Sequence, residues 1–165
     1  MEASGPPMEI FDRRRRRALR ERATARNGDS FLWQYVAEEL AERLAVVSRD
    51  FDNALIIGPM ANYGAQIMNG RQCALSSAAL AEEDRLPLEP QSFDLVIAAG
   101  TLDSVNDLPG ALVQIRRILR PDGLFLGHMF GAGSLATLKS LMLAADGLGA
   151  APHIHPQIDL RSAAD

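Results

Sequence analysis

Among the residues able to do chemistry, the arginines stand out. Arg13, Arg14, Arg15, Arg16 and Arg17 form an unbroken run, followed by Arg20, Arg22 and Arg26. Guanidinium groups bind oxyanions through paired hydrogen bonds, so this cluster suits phosphate, nucleic acid or an acidic protein partner. No aromatic platform for bases is interleaved with the run, which disfavours nucleic acid. Ile10, Phe11, Ala18, Leu19 and Ala25 fall at spacings that put a thin apolar stripe on one side. A solvated helix is therefore the simpler reading and an acidic protein partner the sharper one. Glu2, Glu9, Asp12 and Glu21 argue against a transit peptide, a class poor in acids, and no apolar core of a secretory signal lies near Met1.

The acids and histidines are more scattered. Asp107 reads as a helix cap, whereas Asp103 is a carboxylate at the end of an apolar run, without the base or nucleophile that catalysis would need beside it. Glu82, Glu83 and Asp84 could hold an adenine amino group or a ribose, although a solvated acidic turn is the favoured reading, since exposed carboxylates are common. His153 and His155 are two apart, as metal ligands in an extended segment can be, but no third ligand has suitable spacing and no metal site is expected. His128 lies within an apolar run and reads as an interior or rim residue. Gly131-Ala132-Gly133-Ser134 resembles an anion-binding helix start. There is no Ser/His/Asp or Cys/His pattern, no P-loop and no pair of metal-binding acids.

The elements that must position these residues alternate between strand and helix. A helix is predicted from Phe31 to about Val47, with Leu32, Tyr35, Val36, Leu40 and Leu44 at helical spacing and Trp33 beside them. Ala54-Leu55-Ile56-Ile57 is a short apolar run ending at Gly58-Pro59, as a buried parallel strand should be. A helix from Ala61 to Met68 stops at Asn69-Gly70, and Arg71 to Leu75 reads as the next strand. Phe93 to Ala99 is a strand ended by Gly100, and Asp107 caps a helix carrying Leu108, Ala111, Leu112, Ile115, Ile118 and Leu119. Pro121-Asp122-Gly123 is a turn signal before a strand from Leu124 to Phe130, and a last helix runs from Ser134 to about Ala145. This order predicts a parallel sheet covered on both faces, with ligands beyond the carboxyl ends of its strands. Those ends are residues 58 to 62, 75 to 83, 99 to 106 and 131 to 134.

The chain has 165 residues, 47% of them hydrophobic and 23% charged, and no run approaching the roughly 20 apolar residues of a membrane span. Residues 1 to 30 carry eight arginines against five acids, a net charge of +3. Residues 31 to 165 carry nine bases against sixteen acids, a net of −7. The expected division is a basic amino-terminal helical extension over 1–30 and an α/β domain over 31–165. The single Cys73 forms no internal disulfide and no thiolate cluster, so a cytoplasmic setting is the default.

The string Ser92-Phe93-Asp94-Leu95-Val96-Ile97, with Val105-Asn106-Asp107-Leu108-Pro109, Ala111-Leu112, Ile115, Ile118-Leu119-Arg120-Pro121-Asp122-Gly123 and Met129-Phe130-Gly131, resembles the class I S-adenosylmethionine-dependent methyltransferases of type 11. The branch it most resembles holds the biotin-pathway malonyl-carrier-protein methyltransferase and the mitochondrial complex I assembly factor that acts as an arginine hydroxylase. Ile10-Phe11-Asp12-Arg13-Arg14, Arg20-Glu21-Arg22-Ala23 and Pro152-His153-Ile154 are similar to the latter. The resemblance implies a three-layer Rossmann-like fold with a mostly parallel sheet, and a transferase that binds adenosylmethionine. Gly58 would give backbone approach, Glu82 would hold the adenine, and Ala99 and Leu102 would face the donor methionine portion. Catalytic residues are not assignable.

Departures fall at that same place. Ile56 replaces an acid, Met60 and Asn62 replace later glycines, and Asp103-Ser104 stand where a His-Trp pair is common. A methionine at position 60 is expected to project into the cofactor's space. The segment between the second strand and Phe93 is short, so a shortened fold is expected, missing one central βα unit and the carboxyl-terminal strands. Its exposed sheet edge must be covered or paired, which offers a route to an oligomer. The competing reading is a cofactor-poor interaction or assembly factor that holds an acidic protein through Arg13 to Arg17. Arginine hydroxylation would need an oxidising cofactor for which no ligand set is evident.

Overall fold

The computed structural model describes residues 11–26, 30–78, 86–131 and 133–146. The chain divides into two compact units, residues 1–128 and 129–165. The first carries helices α1 (Arg13–Ala25) and α2 (Phe31–Ala45), strand β1 (Asn53–Ile57), a 3-10 turn (Pro59–Tyr63), the short α3 (Gly64–Met68) and β2 (Ala74–Ala78). It continues through β3 (Phe93–Ala99), a second 3-10 turn (Leu102–Ser104), α4 (Leu108–Ile118) and β4 (Leu119–His128). The second unit contains α5 (Ala136–Asp146).

The sheet order is β2-β1-β3-β4, and every neighbouring pair is parallel. The central strands explain their own composition. Every residue of β3 is buried, as are all of β1 after Asn53, so both faces of these strands must be apolar. On one face Ala54, Ile56, Leu95 and Ile97 pack with Val36, Ala37, Leu40 and Leu44 of α2 and with Ile67 and Met68 of α3. Asp94, buried in β3, accepts hydrogen bonds from the backbone N–H groups of Asp52 (2.9 Å) and Asn53 (3.0 Å) and pairs with Arg120 (3.3 Å). It ties the start of β1 to β3 and β4.

Four elements differ from the sequence expectation, each for a local reason. The second strand begins at Ala74, because the Arg71 guanidinium turns back to donate to the carbonyls of Leu44, Val47 and Arg49 and holds 71–73 out of the ladder. The helix expected from Ala61 begins as a 3-10 turn at Pro59, and this tighter winding carries Met60 into the core, fully buried, instead of into the cofactor's space. Pro121-Asp122-Gly123 does not precede a strand; it bulges from within one. Phe93 is opposite Leu119 while Leu95 is opposite Leu124, and Asp122 takes a φ of 64° to accommodate the extra residues. The last helix starts at Ala136, after Gly133 (φ 97°) and Leu135 (φ 56°), whose backbones cannot be α-helical.

Candidate functional site

The carboxyl ends of β1, β3 and β4 bring together Gly58, the loop from Gly100 to Ser104, and His128. Gly58 has φ 107° and ψ −161°, a conformation reserved for glycine. A Cβ added there would stand 2.7 Å from the Ala99 carbonyl oxygen and 3.3 Å from the Thr101 side chain. The close approach that this glycine permits is therefore made by β3 of the same chain. A Cβ on Gly100 would fall on the Trp33 ring, 2.8 Å from Cζ3, with Pro59 on the other side at 3.2 Å. Trp33 comes from the first turn of α2, where its ring lies half-buried against the core.

Helix α1 closes the same edge from above. Asn106 clamps its leading end: its Oδ1 accepts from the Phe11 N–H (2.7 Å) and its Nδ2 donates to the Phe11 carbonyl (3.0 Å). Arg16 donates to the Ser104 carbonyl, and Arg20 donates to the hydroxyls of Thr101 (3.1 Å) and Ser104 (3.3 Å). One turn apart on one face, these two arginines hold the loop, while Arg13, Arg14, Arg15 and Arg17 are exposed. The basic run is thus split between an inner pair and an outer set.

Of the residues named from sequence, Gly58 and Ala99 stand together at this edge. Ala99 and Leu102 are fully buried, backbone included. Glu82, with Glu83 and Asp84, lies outside the described residues, as do His153 and His155. Asp107 caps α4 through the Gly110 N–H (2.8 Å). His128 is half-buried opposite Ala99. Desolvation holds its pKa below the ordinary histidine value of 6.5, and the nearby Asp103 carboxylate opposes that shift. Gly131 and Ser134 belong to the second unit, where the Ser134 N–H donates to the Gly131 carbonyl (3.1 Å). Among the described residues no cluster of His, Cys, Asp or Glu could hold a metal, and no helix is long and apolar enough to cross a membrane. Trp33 and Thr101 were not singled out by type or spacing; a tryptophan just off the apolar stripe of a helix was the one available signal.

At the end of β1 the described residues fit adenosylmethionine poorly. The space an added Cβ would take at Gly58 and Gly100 holds the Ala99 carbonyl, Thr101, Pro59 and the Trp33 indole, while both glycines stay part-exposed, and β1 offers Ile56 and Ile57 where a carboxylate would receive an ammonium or hydroxyl group. A cleft of about 420 Å³ does exist, but at the opposite edge, lined by Leu44, Val47, Arg49, Ile67 and Arg71 among others. Its two guanidiniums already contact Phe51 and backbone carbonyls.

Comparison with known proteins places these observations. A family described as methyltransferase domain matches residues 34–127. The mitochondrial arginine-hydroxylase of Mus musculus is 37% identical over 177 residues, covering 90% of this chain and 51% of that protein. The malonyl-[acyl-carrier protein] O-methyltransferase of Geobacter sulfurreducens is 39% identical over 67 residues, 41% of this chain and 25% of that one. The crystal structure of a sarcosine dimethylglycine methyltransferase candidate from Galdieria sulphuraria superposes with a TM-score of 0.55 at 14% identity, over 78% of this chain and 58% of that chain, a likeness of fold. The chain spans about half the length of the arginine-hydroxylases it matches.

Proposed function

The chain belongs to the methyltransferase-domain family, and from that premise we propose that it keeps the scaffold as a protein-binding factor whose cofactor groove is closed by its own side chains. The observation that carries this reading is the Trp33 ring seated on Gly100. Around it, Thr101 takes the space at Gly58 and the Arg16 and Arg20 contacts fasten α1 over the same loop. In a family whose chemistry needs a donor beside these glycines, packing Trp33 and Thr101 against them narrows the donor's place. The transferase reading, which the relatives favour, requires the indole to leave Gly100 and α1 to give up its hydrogen bonds. A cytoplasmic setting goes with this proposal; the relatives named as mitochondrial supply the competing compartment, and cell fractionation separates the two.

Trp33 is the only tryptophan in the chain, so its fluorescence reports on the groove directly. Excited at the red edge of the indole band, its emission should stay unchanged on titration with adenosylmethionine or adenosylhomocysteine to millimolar concentration. A saturable change in emission with either ligand would overturn the closed-groove reading and restore the transferase.

A further inference from the structure

Two exposed stripes on the first two helices complement one another. On α1, Arg15, Leu19 and Arg22 recur at i, i+4 and i+7, and Arg26 in the following turn continues the series at i+11. On α2, Phe31, Tyr35, Glu38 and Glu42 repeat the same spacing. Each set lies on one face of its helix. Both faces point to solvent: Leu19 is 49% exposed, Phe31 83% and Tyr35 60%, and Glu38 and Glu42 are exposed too. These arginines are apart from Arg16 and Arg20, which are committed to the loop beneath. One stripe is cationic around a leucine, and the other is anionic beside two aromatic rings.

We infer that the occupant of these faces is a second copy of the chain, with α1 of each protomer against α2 of the other in a two-fold dimer. Both halves of the contact are present on one molecule and exposed on it, which is the condition for an isologous interface. Two such helix pairs, related by the axis, bring the three exposed apolar or aromatic positions under cover twice over. The guanidiniums meet carboxylates or ring faces whichever way the helices run. Charge favours this occupant over a polyanion: residues 31 to 165 carry a net of −7, which repels nucleic acid or an anionic lipid surface as a whole while presenting acids to the arginine stripe. The inference does not depend on the closed groove.

The test is sedimentation equilibrium of the full chain with two charge-reversed variants, Arg22→Glu with Arg26→Glu, and Glu38→Arg with Glu42→Arg. The wild type should weigh twice its 17.9 kDa, with a dissociation constant rising about tenfold as salt goes from about 0.05 to 0.5 M. Each variant alone places like charges across both contacts and should be monomeric. Mixed together, the two variants oppose unlike charges at both contacts and should recover the dimer, which loss of folding in either could not produce. A monomeric wild type, a dimer indifferent to either reversal, or a mixture that stays monomeric would each overturn the proposal.

Discussion

Asp94 is the side chain whose loss should cost the fold most for its size. It is buried, accepts from two backbone N–H groups that no strand partner serves, and stands 3.3 Å from the Arg120 guanidinium. Asp94→Ala leaves those donors unsatisfied, which costs about 2–4 kcal/mol. Urea denaturation should show this as a lower midpoint with little change in slope, and Asp94→Asn, which keeps one acceptor, should lose less. His128 supplies the pH test. Burial disfavours its charged form, so its folded pKa lies below 6.5. As pH falls below 6.5 the unfolded chain takes up a proton that the folded chain refuses, and stability declines until the lower folded value is reached. His128→Gln should flatten that part of the stability profile; an unchanged slope would show that His128 titrates alike in both states.

At the scale of elements, the loop after β1 shows what was legible in the sequence and what was not. Strands β1 and β3 were readable because buried parallel strands must be apolar throughout, and α4 because Asp107 caps it and its apolar residues recur on one face. The route from Gly58 to Met68 was not, since winding a 3-10 turn at Pro59 depends on the core space that Met60 fills below α2. The start of β2 was likewise hidden, because it is set by Arg71 reaching carbonyls more than twenty residues away in sequence. Gly58 itself was legible as a special position, but its reason is internal: Gly58→Ala should destabilise the fold by about 1–3 kcal/mol through the positive φ and the Ala99 carbonyl at 2.7 Å. Thermal melts without any ligand measure this, and an unperturbed melting temperature would show that the glycine serves something other than β3.

For the molecule as a whole, the family was readable from core strands and turns, while the state of the groove was not. Motif departures at Ile56, Met60 and Asn62 marked the place, yet the groups packed around its glycines and loop come from elsewhere in the chain: Trp33 from the helix before β1, Thr101 from the loop after β3, and Arg16 and Arg20 from α1. Such packing is a tertiary property, invisible to spacing within any one segment. The proposed protein is a methyltransferase scaffold turned toward binding protein, with its donor site narrowed from within. Its most direct test is calorimetric titration of the intact chain with adenosylhomocysteine, a ligand that needs the groove and undergoes no reaction. The prediction is no heat beyond dilution at millimolar ligand; a saturable isotherm with one site per chain would contradict it.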